Sequence, residues 1–91
     1  MSTLTMKFGG TSVGSATAIG QAADIILDQA QDWDRLVIVV SAMSGVTDAL
    51  IRGARTAAAG DQQTYRSTVA DLRVQHYRAI DDLLAQDGEM A

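Results

Sequence analysis

Leu36-Val37-Ile38-Val39-Val40, running into Ser41-Ala42-Met43-Ser44-Gly45-Val46-Thr47-Asp48, is the stretch on which the fold of this chain turns. A strand with one solvated face alternates apolar and polar residues. Here five apolar residues follow one another, all but Leu36 β-branched, which marks a strand covered on both faces, as in a parallel sheet with helices above and below. Upstream, residues 14 to 32 read as a helix. Ile19, Ala22, Ala23, Ile26, Leu27 and Ala30 fall on one stripe, and Asp24, Asp28, Gln29 and Gln31 take the other side. Gly20 inside that helix costs about 1 kcal/mol relative to alanine, which points to close packing there. Before it, Leu4-Thr5-Met6-Lys7-Phe8 reads as a short strand, and Trp33 in the later link reads as a packing residue over the helix end. Strand, helix and strand at this spacing make a right-handed βαβ unit.

Downstream of Val40 the small, hydroxyl-rich turn leads into a helix ending near Ala59. Ser44 or Thr47 is placed to cap its start. Gly60 suits the position just past its end, and Asp61 can cap the next helix. That last helix runs from about residue 62 to 86. Tyr65, Val69, Leu72, His76, Ala79, Ile80, Leu83 and Leu84 form one stripe, whose spacing serves an intramolecular groove or a helix-pair seam. His76 reads as a histidine at the edge of that packing face, since no second metal ligand or nucleophile stands at usable spacing. The arginines at 52, 55, 66, 73 and 78 read as solvated helix faces.

Composition excludes several classes. The 91 residues contain no cysteine and no proline, so disulfide staples and thiolate metal sites are ruled out, which suits the cytoplasm. No basic region precedes an apolar stretch in the manner of a secretory signal, and no apolar run approaches the roughly 18 residues of a membrane span. The net charge of −4 argues against nucleic acid as a partner, because a binder there carries a basic stripe.

The chemistry concentrates in Lys7-Phe8-Gly9-Gly10-Thr11-Ser12-Val13. Lys7 is the only lysine; the six other cations are arginines. A compact ammonium at a strand tip, followed by backbone that can fold sharply, builds a small anion pocket. Glycine allows positive φ and close backbone approach, successive N–H groups form a concave nest for phosphate oxygens, and a helix starting just after aims its positive end at the same spot. Ligands of α/β sheets bind at the carboxyl ends of strands. Lys7, Gly9, Gly10 and Ser12 are therefore expected beside Ser41, Gly45 and Thr47, around one crevice. The common phosphate motifs do not fit. The lysine precedes the glycines, so this is not a P-loop; the glycines stand at 9, 10 and 14, not in G-x-G-x-x-G; and Ser41 stands where a dinucleotide site wants an acid.

KFGGTSVGS near the start and VIVVSAMSGVTDALI after the first helix resemble aspartate kinase, in the amino-acid kinase superfamily. The resemblance is sharp over about residues 4 to 52 and weaker around LRVQHYRAIDDLL, which is similar to an inserted helical segment of some aspartate kinases. It implies an α/β chain, the start of a three-layer αβα fold, with a parallel βαβ unit followed by two further helices. It implies ATP, with Mg2+, as phosphoryl donor and the side-chain carboxylate of L-aspartate as acceptor, giving 4-phospho-L-aspartate for lysine, threonine and methionine synthesis. Carried over, Lys7 contacts the ATP phosphates and is catalytic, Gly9 and Gly10 offer backbone N–H groups, Ser12 lines the nucleotide side, and Ser41 and Thr47 hold the aspartate. No metal ligand is assigned.

The family's adenine-binding region, its other substrate contacts, its catalytic aspartate and its regulatory domains match nothing in this sequence. Residues 1–91 are thus expected to be the N-terminal part of a kinase catalytic domain, without an internal boundary, inactive alone and part of a cytoplasmic homo-oligomer. Two other readings stay open: a kinase acting on glutamate, carbamate or a nucleotide, and a non-catalytic helical assembly module resting on the stripe from Tyr65 to Leu84.

Overall fold

A computed structural model of the chain describes residues 1–87. The elements run β1 (Thr3–Phe8), α1 (Ala16–Ala30), β2 (Arg35–Val40), α2 (Val46–Ala58) and α3 (Gln62–Asp87). The chain is α/β, a parallel β1–β2 pair joined by α1 and followed by two helices. It divides into two compact units, one from Met1 to Ser44 and the other beginning at Gly45.

In the first unit the strands pair in parallel from Thr3 with Arg35 to Phe8 with Val40. Side chains alternate across the strands. Leu4, Met6 and Phe8 lie on the covered side with Leu36 and Ile38, while Thr3, Thr5, Lys7, Arg35, Val37 and Val39 are exposed. Phe8, Val13 and Ala22 form the buried core, with Met6, Ile19, Ile26 and Ile38 packed against it. The continuous apolar run of β2 predicts cover on both faces; here Val37 and Val39 remain 47% exposed. The stripe predicted on α1 is also only half used. Ile19, Ala22 and Ile26 face the core, whereas Ala23, Leu27 and Ala30 are exposed. The reason is width. Two strands lie about 4.8 Å apart, and a helix with its side chains is about 10–12 Å across, so the pair covers only one strip of the helix.

The amino ends of the strands are tied together. The Ser2 N–H donates to Asp34 Oδ2 at 2.7 Å, the Asp34 N–H donates to Ser2 Oγ at 3.1 Å, and the Arg35 N–H donates to the Ser2 carbonyl at 3.1 Å. Trp33 does close over the helix end, its Nε1–H donating to Gln29 Oε1 at 3.2 Å.

In the second unit α2 packs on α3. A Cβ built on Gly53 would lie 3.4 Å from Thr68 Cγ2, so the helices approach closely there. The covered side of α3 carries Tyr65, Thr68, Leu72, Gln75, Ala79 and Leu83, while Val69, His76 and Ile80 are exposed. The stripe drawn from the sequence is therefore rotated toward Thr68 and Gln75. The turn between the helices matches its sequence reading. Gly60 takes φ 83°, its N–H donates to the Ala57 carbonyl at 3.0 Å, and the Asp61 N–H reaches the Thr56 carbonyl at 2.9 Å. This double bond pattern closes a helix through a left-handed residue that glycine adopts without a Cβ penalty. Asp61 then caps α3, its Oδ1 accepting from the Thr64 N–H at 3.1 Å.

Candidate functional site

Both small-residue turns leave the carboxyl ends of neighbouring parallel strands, so they emerge at the same end of the sheet. The Ser41 N–H donates to the Phe8 carbonyl at 3.1 Å, which carries the strand pairing one step beyond β2. The turn after β1 closes with the Ser12 N–H on the Gly9 carbonyl at 3.0 Å, and farther along the Ser44 N–H donates to the Gly14 carbonyl at 3.2 Å. The segment 9–14 and the turn Ser41–Ser44 are thus stitched together at both ends.

Lys7 is the next-to-last residue of β1, opposite Val39, on the exposed side of the pair away from the Phe8 core. Its side chain is exposed, beside Val39, which is also exposed. Gly9 has open space on the side where a Cβ would project, and Gly10 comes within 3.9 Å of the Ser41 hydroxyl measured from such a Cβ. Neither glycine has positive φ; among the described residues only Gly45 and Gly60 do. Gly9 and Gly10 therefore contribute room for close approach, not left-handed backbone.

Ser12 lines a hollow of about 220 Å3 together with Phe8, Thr11, Ala18, Gln21, Ala22 and Ile25. Lys7, Gly9 and Gly10 do not line this hollow. Helix α1 begins beyond the loop at Ser15, whose hydroxyl accepts the Ala18 N–H at 3.2 Å, so one of its first-turn donors is taken by the chain itself. Ser41 stands directly past β2 beside Gly10. Thr47 belongs to the second unit, in the first turn of α2. The helix-capping role expected of Ser44 or Thr47 falls instead to Gly45, at φ 79° and without a side-chain cap. A left-handed backbone there turns the chain sharply enough to start the helix with no hydroxyl.

Gly14 is the position that sequence reasoning passed over. A Cβ there would lie 2.8 Å from the Gly10 carbonyl oxygen and 2.6 Å from Ser44 Oγ, both too close for any side chain without movement. It is the third glycine of the loop and part of the KFGGTSVGS string, but sequence spacing alone does not show the crowding around it. Among the described residues no three His, Asp or Glu side chains gather as a metal ligand set. The Asp61 carboxyl is held below its usual range by the Thr64 hydroxyl and then by the Thr64 N–H, at the junction of α2 and α3.

The sequence model of the amino acid kinase family matches residues 2–90. The chain is similar to an aspartate kinase of Pseudomonas fluorescens, 51% identical over 69% of this chain and 15% of that protein. It is also similar to an aspartokinase of Geobacillus stearothermophilus, 42% identical over 60% of this chain and 14% of that protein. A chloroplastic bifunctional aspartokinase/homoserine dehydrogenase of Daucus carota is 38% identical over 89% of this chain and 8% of its own length. The chain thus spans between 8% and 15% of these relatives. No solved structure matches it significantly.

Proposed function

The chain belongs to the amino acid kinase family, and from that premise we propose that it supplies the donor-side and acceptor-side turns of an aspartate kinase longer than these 91 residues. The observation that carries the reading is the pair of turns stitched side by side at the carboxyl ends of β1 and β2. Phosphoryl transfer asks a protein mainly for positioning and charge stabilisation. Lys7 would take the phosphate oxygens of ATP, with Gly9 and Gly10 leaving room for their close approach and Ser12 bordering the nucleotide. Ser41 and Thr47 would hold the aspartate.

The acceptor chemistry suits what these turns contain. A side-chain carboxyl with a pKa of about 3.9 is already ionised at neutral pH, so no general base is needed to make the nucleophile. A carboxylate oxygen bonds to the γ-phosphorus, the bond from that phosphorus to the bridging oxygen breaks, and ADP leaves with the electron pair. Two anions must meet for this, and protein carboxylates nearby would oppose them. None occurs before Asp24, so the loop after β1 carries none, whereas Asp48 follows Thr47 in the first turn of α2. Magnesium travelling with ATP fits a site of this kind by taking its ligands from phosphate oxygens and water. The cytoplasm and a place at the head of lysine, threonine and methionine synthesis belong to the same proposal.

The test is ADP release by the full-length polypeptide with L-aspartate, L-glutamate or carbamate as acceptor. Turnover with aspartate is expected, and a preference for either other acceptor would replace the reading. Lys7→Ala is expected to lower kcat by roughly 100- to 1,000-fold, the cost typical of one charge-stabilising donor, with the protein still folded. Unchanged kcat would remove Lys7 from the mechanism. Residues 1–91 alone are expected to turn over no ATP.

A further inference from the structure

Gly14 has no left-handed backbone to explain it, since its φ is not positive. What it has is crowding from two directions. Its carbonyl accepts the Ser44 N–H at 3.2 Å, and a Cβ in its place would meet the Gly10 carbonyl at 2.8 Å and Ser44 Oγ at 2.6 Å. A serine hydroxyl can rotate away, whereas a carbonyl is fixed by the chain, so any side chain at position 14 must move the Gly10 backbone. Gly10 in turn borders the Ser41 hydroxyl. The two turns are held by two hydrogen bonds, from the Ser44 N–H to the Gly14 carbonyl and from the Ser41 N–H to the Phe8 carbonyl, and the absence of a side chain at Gly14 is what lets them lie this close. One turn cannot shift far without straining those bonds.

We propose that Gly14 is a positioning residue that latches the donor-side loop to the acceptor-side turn, so that occupation of one favours the closed arrangement of the other. This rests on the kinase reading above, which assigns a different substrate to each turn. A latch of this kind makes nucleotide and amino-acid binding mutually dependent, and thermodynamic linkage requires the same factor in both directions. Gly14 touches no reacting atom; it acts through Gly10 and Ser44.

The experiment uses the full-length protein. Amide hydrogen exchange of the unmodified protein is followed with a non-hydrolysable ATP analogue and Mg2+ alone, and with L-aspartate alone. The analogue is expected to slow exchange within residues 41–44, and aspartate within residues 9–14. Affinity for the analogue, measured with and without saturating aspartate, is expected to rise severalfold with aspartate in the unmodified protein. In Gly14→Ala that ratio is expected to fall to about one, with kcat/KM for both substrates at least tenfold lower. Protection confined to the turn that binds each ligand, or a Gly14→Ala protein with intact coupling, would overturn the latch. Should Gly14→Ala fail to fold, the exchange pattern of the unmodified protein decides alone. Absence of aspartate-dependent turnover in unmodified protein strikes the kinase reading instead, and nucleotide-induced protection at residues 41–44 still judges the latch separately.

Discussion

Asp61 joins two helices with one carboxylate. Its N–H completes the closure of α2, and its side chain accepts from Thr64 at the start of α3. The Thr64 hydroxyl and backbone N–H favour the ionised form, so the folded pKa lies below the ordinary value of 3.8. The sign follows directly. A carboxyl with a depressed folded pKa lends its stabilisation fully above the unfolded pKa and loses it as the pH falls through the folded one. The Thr64 amide resonance is expected to titrate below pH 3.8, with the first turn of α3 loosening there, and Asp61→Asn should abolish that titration. An amide shift that is flat with pH would show that the cap does not depend on ionisation. Gly60 and Asp61 were legible residue by residue because capping is a local matter of φ and hydrogen-bond reach. The start of α2 was not, because a glycine at φ 79° replaced the expected hydroxyl, and serine, glycine and threonine within four positions are all admissible caps.

Elements were predicted correctly in kind and order, and their facing was predicted less well. β1, α1, β2, α2 and α3 stand within a few residues of where apolar periodicity and turn residues put them. Periodicity says which side of a helix is apolar; it does not say how much of that side a neighbour can cover. On α1 the narrow pair of strands selects Ile19, Ala22 and Ile26 and leaves Leu27 67% exposed. On α3 apolar residues occupy more than one stripe, and the close approach of Gly53 to Thr68 decides which is covered. Ala22 lies where α1 meets the core, at 6% exposure. Ala22→Leu is expected to destabilise the βαβ unit by about 1–3 kcal/mol, since added methylenes in a packed contact force the helix outward. Thermal melts would record this, and an unchanged midpoint would mean that the contact is loose.

At the scale of the whole molecule the uncovered surface dominates. Among the described residues no side chain is fully buried, and Val37, Val39, Val40, Leu50, Val69, Tyr77 and Ile80 are all exposed. Among the described residues no helix is long and apolar enough to cross a membrane. Open strand edges and apolar helix sides seek partners. The 91-residue chain is therefore expected to self-associate as its concentration rises, through a sheet edge or α3, with mass measured by light scattering. A monomer at high concentration would contradict this. In a longer kinase the same surfaces would receive further strands and helices, which accords with relatives of which this chain spans at most 16%.

By itself the sequence determined the α/β class, the order of the elements, the helix junction at Gly60-Asp61 and the two turns that carry the family resemblance. These follow from local spacing, φ preference and residue chemistry, which act over a few positions. Tertiary structure alone decided the stripes on which α1 and α3 pack and the exposed side of the sheet on which Lys7 stands. It also disclosed Gly14 as the point where the two turns press together. These depend on groups far apart in the chain coming together, as the 15 positions from Gly53 to Thr68 and the 30 from Gly14 to Ser44 illustrate, and sequence spacing holds no record of such distances.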